Sequence, residues 1–255
     1  MSETFTEIAE GLFAIHIALW HAPSQSLIFS DLHIGYEAEL HAKGVLVPNF
    51  QTSDVIERIK YILHLLKRQK LCPVNIVLNG DLKHSFGKIS SQEWTGIERI
   101  IRFLQQHCKN VIIVKGNHDV LLSHIAERFN LKTVPSFKVG GLLVLHGDKL
   151  PTKEELDGVT IIVTGHDHPA IQLSDGAKRE KYKCFLVGKY LRKILVVQPS
   201  TQPLVQGTDV LLGTYLSPLL PSNVGKFRVF VVDDVTCRVL DFGPVRIIVE
   251  NCKSF

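Results

Sequence analysis

Val111-Ile112-Ile113-Val114-Lys115-Gly116-Asn117-His118-Asp119 is the stretch on which the reading of this chain turns. Four consecutive β-branched apolar residues read as a short strand buried on both faces. Gly116 lets the backbone turn sharply, and an amide, an imidazole and a carboxylate follow at once. Those groups together are the material of metal binding and proton transfer. The plain alternative is a turn in which Asp119 caps the next helix.

Outward from this stretch the same order recurs. Residues 26–30 (SLIFS) lead into Asp31-Leu32-His33, and Val74–Leu78 leads through Asn79-Gly80 to Asp81. Leu142–Leu145 ends at His146, and Thr160–Thr164 ends at Gly165-His166-Asp167-His168. Each motif alone has a plain reading as a turn or a strand-end residue. In open α/β sheets the carboxyl ends of strands are where ligands bind, so the repetition carries the argument.

Between these strands the periodicity changes to helical. Residues 52–68 put Val55, Ile59, Ile62 and Leu66 on one face. Ser90 with Glu93 offers a capping box before a helix carrying Ile97, Ile100, Ile101 and Leu104. Another helix is expected from about 120 to 129, and a short one at Thr152 with Glu155. Residues 12–19 read as a strand, and 133–139 with 141–145 as a pair around Gly140-Gly141. Beyond Pro169 only strands are expected, near 169–173, 182–187, 194–198, 227–233 and 236–249. An α/β half followed by a β-rich half predicts two sheets face to face with helices outside, over residues 1–255 as a single domain.

Composition narrows the class. The chain has 255 residues, a net charge of +4, 45% hydrophobic and 21% charged residues, the balance of a globular protein with a real core. No apolar run reaches the ~18 residues of a membrane span. The start, MSETFTEIAEG, lacks the basic residues of a signal peptide. Five cysteines without regular spacing argue against a disulfide framework or a zinc ribbon, and a reduced cytoplasm is the expected setting. Nothing in the chain sets its oligomeric state, and a homodimer stays open.

The strand-end residues form a coherent donor set. Asp31 and Asp81, the amide of Asn117, and the imidazoles of His33, His146, His166 and His168 exceed what one tetrahedral ion can use. Oxygen and nitrogen donors in this mixture suit Mn²⁺, Fe²⁺, Zn²⁺ or Co²⁺ rather than Ca²⁺ or Mg²⁺. Two ions ~3.5–4 Å apart, sharing a carboxylate, clamp an in-line phosphoryl displacement.

In the order D-x-H, G-D, G-N-H-D, H, G-H-x-H, residues 31–168 resemble the calcineurin-like metallophosphoesterase superfamily. The resemblance implies a four-layer αββα sandwich, two mixed β-sheets with flanking helices, around a dinuclear centre. Asp31, His33 and His168 would hold one ion, Asp81 would bridge, and Asn117, His146 and His166 would hold the other. Manganese is the first expectation, with iron, zinc, cobalt and nickel as further candidates. His118 would donate a proton or bind the phosphate.

Position 84 separates branches. The phosphoprotein phosphatases continue G-D-x-x-D-R-G, whereas this chain has Gly80-Asp81-Leu82-Lys83-His84-Ser85-Phe86-Gly87. A histidine three residues after the bridging aspartate resembles the SbcD nuclease branch, and would pair His84 with His118 near the scissile bond. Asp31–Glu37, Gly80–His84, Gln198-Pro199-Ser200 through Gly207-Thr208-Asp209, and Leu216-Ser217-Pro218-Leu219-Leu220 are similar to a small SbcD-related group of archaea and its bacterial relatives, the DNA-ligase-associated phosphoesterases. The late segments are expected to pack as a loop near the metal edge. The stretch after His168 is short for the capping and ATPase-binding parts of the full nucleases, so a stand-alone enzyme is expected.

The expected reaction is phosphodiester hydrolysis by hydroxide generated between two cations, with a nucleic acid or nucleotide as substrate and no membrane partner. A phosphomonoesterase of a small nucleotide or metabolite, and a non-catalytic metal-binding scaffold, are the alternatives. Residues 178–193 (KREKYKCFLVGKYLRK) read as a hairpin whose basic residues protect an edge, with contact to a polyanion as the other reading. Of the twelve histidines, His16, His21, His41, His64, His107 and His124 fall outside the strand-end pattern and are read as structural.

Overall fold

The computed structural model describes residues 4–87, 89–119, 122–175 and 178–252. Among them, strands β1 (Thr6–Ala9), β2 (Leu12–Ile15), β3 (Ala18–His21), β4 (Ser26–Ser30), β5 (Asn75–Asn79), β6 (Asn110–Val114) and β7 (Lys132–Val134) lie in that order in one sheet. The second sheet contains β8 (Ser136–Val139), β9 (Leu142–Leu145), β10 (Ile161–Thr164), β11 (Pro169–Asp175), β12 (Lys178–Tyr190), β13 (Lys193–Val197), β14 (Thr208–Asp209), β15 (Arg228–Asp233) and β16 (Arg238–Pro244). Its order is β14-β11-β12-β13-β10-β9-β8, with β15 added to β12 and β16 to β15. Strands β4 to β7 are parallel, as are β9, β10 and β13. Both sheets are mixed.

Alternation along each strand feeds two different cores. In β5, Val77 points between the sheets while Ile76 and Leu78 point outward; in β10, Ile161 and Val163 point between them and Ile162 outward. The inner core joins Leu12, Ile28, Val77 and Val114 to Val144, Val163, Phe185 and Val196. Over the outer face of the first sheet, α2 (Gln51–Arg68) and α3 (Ser91–His107) lay down Val55, Ile59, Ile62, Leu66, Ile97, Ile100 and Leu104 against Phe29, Leu78 and Ile113. Each such side chain removed from water is worth ~1.5–3 kcal/mol. The four-layer sandwich expected from the sequence is therefore present. The capping boxes at Ser90 and Thr152 both form, the second opening α5 (Lys153–Leu156).

Four local readings are corrected. Residues 12–19 are a hairpin: His16 adopts φ +52° and turns the chain between β2 and β3 without a glycine to announce it. Residues 133–139 are divided at Pro135, where the chain leaves β7 in one sheet and enters β8 in the other. The segment 236–249 is strand only to Pro244. Val245–Cys252 is a helix, α6, whose Val245 and Ile248 dock on the second sheet beside Leu195 and Val197. Its β-branched run favours strand, and packing at i, i+3 overrides that preference. Consequently the region beyond Pro169 is not strand alone. The helix expected from 120 runs over Ser123–Arg128 (α4), and residues 120–121 lie outside the described ones. A further helix, α1 (Tyr36–Ala42), had no sequence reading.

Candidate metal centre

Strands β4, β5, β6, β9 and β10 all end at the same edge of the sandwich, and each delivers polar residues there. The loops after β4 and β5 continue to pair beyond the sheet: His33 N–H donates to Asp81 O (2.8 Å), Ile34 N–H to Leu82 O (3.0 Å) and His84 N–H to Ile34 O (3.0 Å). That pairing brings His33, Asp81 and His84 together. Asp31, His33, Asp81, His166 and His168 all have φ between +43° and +66°. Non-glycine residues rarely adopt this region, at a cost of ~1 kcal/mol or more each, and such strain concentrates at functional sites.

Three groups of side chains converge. Asp31, His33 and His168 form one: His33 Nε2 lies 3.2 Å from His168 Nε2, and His168 Nε2 lies 3.3 Å from Asp31 Oδ1. Asp81, His146 and His166 form the second: His146 Nε2 is 3.3 Å from Asp81 Oδ2 and 3.1 Å from His166 Nδ1. Asn117 Oδ1 joins it at 2.8 Å from His146 Nε2. Asp81 Oδ2 stands between the groups, 3.7 Å from His33 Nε2. The third group, His33, His84 and His118, lies on the rim: His84 and His118 stack with centroids 5.6 Å apart and planes 27° apart. All nine residues singled out from the sequence are thus in one place.

The close approach is built into the glycines. A Cβ on Gly116 would lie 2.1 Å from Asp81 Oδ1, and one on Gly165 would lie 2.2 Å from Asp31 Oδ2. No larger residue leaves room for the carboxylate at either position.

The donors fit cations. Asp31 and Asp81 are buried carboxylates, and His146 Nδ1 is enclosed without a hydrogen-bond partner. Burying such groups is costly unless a counter-charge is supplied. Facing imidazole nitrogens at 3.1–3.2 Å likewise need something shared between them. Burial alone would raise the Asp31 carboxyl, but His168 and His146 hold it below the usual carboxylate range. Asp81 is likewise held down: the hydrogen bond and charge of His146, with His33, outweigh burial. Burial, helped by His168, pushes His33 down to about 3, and burial with His146 lowers His166. Ionised carboxylates and neutral imidazoles are the ligand-competent forms. His146 differs: burial lowers it, but Asp81 and Asp31 outweigh that and lift it to about 9, so a positive charge is favoured where it sits.

Several contacts that hold this centre were not read from the sequence. Among the described residues Asp119 caps no helix, since α4 begins behind Leu122. Its carboxylate accepts N–H bonds from Gly116 (2.9 Å) and Leu82 (3.0 Å), clamping two ligand loops together, and burial raises it to about 6. Glu37 accepts from Phe50 N (2.7 Å) and from Gln51 N, so it caps α2 from a distance. Gln51 then donates to His33 O (2.7 Å). Asp167 accepts from Leu216 N (2.6 Å), Ser217 Oγ donates to Gly147 O (2.6 Å) and Thr201 N donates to Ser30 O (2.8 Å), so the late segments do pack along the metal edge. Glu39 Oε2 lies 2.5 Å from His84 Nε2. Beside Asn117 and His146 opens a cleft of about 710 Å³, lined also by Lys115, Asp148, Lys149 and Leu150.

The basic stretch forms hairpins with its neighbours on both sides. Lys178 pairs with Glu180 (2.5 Å), and Lys183 turns inward to the carbonyls of Ser200 (2.6 Å) and Gln202. Among the described residues no helix is long and apolar enough to cross a membrane.

The fold has a counterpart among solved structures. The structure of nuclease MPE from Pseudomonas putida superposes with a TM-score of 0.62 at 15% identity, covering 91% of this chain and 94% of that one, which is a likeness of fold. Wild-type Vps29 complexed with zinc, from Entamoeba histolytica, gives a TM-score of 0.35 at 17% identity, over 86% of this chain and 99% of that one. No curated protein matches the sequence. The model of the calcineurin-like phosphoesterases matches residues 25–169, the segment that supplies every residue of the centre described above, and the chain belongs to that family.

Proposed function

We propose that this protein is a dinuclear-metal phosphodiesterase acting on nucleic acid, with residues 1–255 as one catalytic domain. The observation that carries the reading is the stacked pair His84 and His118 beside the donor groups. His84 stands where the phosphoprotein phosphatase pattern has an aspartate, and Ser85 where it has an arginine. That the Pseudomonas putida neighbour is a nuclease supports nucleic acid as the phosphodiester.

Asp31, His33 and His168 would hold one ion, Asn117, His146 and His166 the other, and Asp81 would serve both. Manganese suits this oxygen and nitrogen set. When bound, the ions would supply Lewis acidity and a water of lowered pKa. The rest is work for the chain's own groups. His118 Nδ1–H donates to the carbonyl of His84, which fixes the ring and leaves Nε2 on the side of Asp81, 3.9 Å from Oδ2. From there Nε2 can deliver a proton to the departing ester oxygen. The Glu39 carboxylate holds His84 by Nε2, so that Nδ1 faces inward, 3.3 Å from His33 Nδ1. With a proton on Nδ1 as well, balanced by the Glu39 carboxylate, His84 would donate to a phosphate oxygen.

The test compares turnover of bis-p-nitrophenyl and mono-p-nitrophenyl phosphate by Mn²⁺-loaded protein, followed by labelled DNA and RNA. The diester should be the better substrate and a nucleic acid should be cut. Strong preference for the monoester, with intact DNA and RNA, would instead make the protein a phosphomonoesterase.

A further inference from the structure

An aromatic ring stands at the mouth of the centre with no part in its metal chemistry. Phe86 is 60% exposed, and its ring centroid lies 3.6 Å from that of His118, the planes inclined by 32°. The ring is held there by its loop. Ser85 N–H donates to Glu93 Oε1 (2.9 Å), the buried Lys83 amine donates to Ser85 O, and Glu93 is itself fixed in the capping box of α3. Tyr36 meets the neighbouring His84 edge-on, with centroids 4.8 Å apart. The next residue, Gly87, has nothing within 4 Å of where a Cβ would stand among the described residues.

Single exposed apolar side chains are ordinary on a protein surface, and Phe86 is set apart by its place against the ring of His118. One face of Phe86 meets the imidazole that stands next to the reacting ester. The exposed remainder offers a flat apolar surface beside that imidazole. The flat, apolar-faced group attached to a nucleic-acid phosphodiester is its base, and bases stack on aromatic side chains with little regard to sequence. We propose that Phe86 is a specificity-determining residue that stacks on the nucleobase next to the scissile phosphate, so that the site selects nucleobase-bearing esters over other phosphodiesters. This rests on the phosphodiester reading above and adds the substrate's base to it.

The test uses Mn²⁺-loaded wild type, Phe86→Ala and Phe86→Trp. Kinetic parameters are measured on thymidine 5′-(p-nitrophenyl phosphate) and on methyl p-nitrophenyl phosphate, which has no base. Binding of thymidine 5′-monophosphate and of methyl phosphate is measured separately by calorimetry. Wild type should favour the thymidine compound in both assays. Phe86→Ala should lower that preference roughly tenfold, through KM rather than kcat, and Phe86→Trp should restore it. If Phe86→Ala slows both esters equally through kcat, the ring only supports His118 and the proposal is overturned. An unchanged preference in both assays overturns it as well. Base-dependent binding without hydrolysis of either diester would uphold the contact and defeat the phosphodiester reading. Hydrolysis of both diesters with no preference for the base would do the reverse.

Discussion

Ser200 Oγ donates a 2.6 Å hydrogen bond to the main-chain oxygen of Asp31, fastening a loop of the second sheet to a candidate metal ligand of the first. Both residues are buried, and Asp31 sits at φ +53°, a conformation it keeps only because its surroundings hold it. The bond closes the sandwich directly beneath the centre.

Replacing Ser200 by alanine should therefore loosen Asp31 while leaving the fold intact. A net loss of ~1 kcal/mol is expected for a buried hydrogen bond, which corresponds to roughly fivefold weaker Mn²⁺ binding. Calorimetric titration of the metal-free variant would read this, and affinity equal to wild type would show that the tie has no bearing on the centre.

Gly116→Ala probes the closeness of the two ligand loops. Its Cβ would meet Asp81 at 2.1 Å from Oδ1 and 2.4 Å from N, which no rotamer change relieves, because one of the two atoms is backbone. Asp81 must move, so the variant should bind fewer than two ions and lose at least about 100-fold in turnover, since a displacement of ~1 Å can cost that much. Metal content by elemental analysis and diester turnover would be measured together. Two tightly held ions with full activity would be incompatible with Asp81 serving both.

Lys183 ties the same late loop from the other side, and it predicts a pH dependence. Its amine donates to Ser200 O and Gln202 O; burial and Arg58 push it down to about 7, against the opposing pull of Asp234 and Asp31. In the unfolded chain a lysine titrates near ~10.4. Between about pH 7 and 10 the folded state binds fewer protons, so stability rises with pH through that window and is flat below it. Lys183→Met removes the titration. Urea unfolding of both proteins should show the gap widening in favour of wild type by up to about 1 kcal/mol per pH unit from pH 7 to 9. A gap independent of pH would mean that the amine titrates normally.

These three positions also mark what the sequence could and could not disclose. Asp31, His33, Asp81, Asn117, His146, His166 and His168 were legible because each stands within a few residues of a strand end, three of the motifs behind a glycine. The signal is local and repeats. Ser200 reaches Asp31 only across the closed sandwich, Lys183 reaches the carbonyls of Ser200 and Gln202 from a neighbouring strand, and Glu37 caps a helix fourteen residues away. Their types are ordinary, and nothing nearby in the chain predicts those partners. The same applies to the layers. The order of strand and helix signals forecast two sheets with helices outside, whereas the turn at His16 and the helix α6 depend on what the chain packs against. Pro135 and Pro244 did mark the two boundaries that the strand pattern had run through.

The central claim is that the strand-end aspartates, histidines and Asn117 hold two ions while a separate imidazole moves the proton. His118→Ala tests it most directly, because His118 lies on the rim and its Nε2 is 3.9 Å from Asp81 Oδ2, outside direct contact. Metal content and bis-p-nitrophenyl phosphate turnover would be measured on the same Mn²⁺-loaded sample. The prediction is two ions per chain, as in wild type, with turnover reduced roughly 10²–10⁴-fold, the range of a lost general acid. Turnover close to wild type with both ions in place would contradict the account.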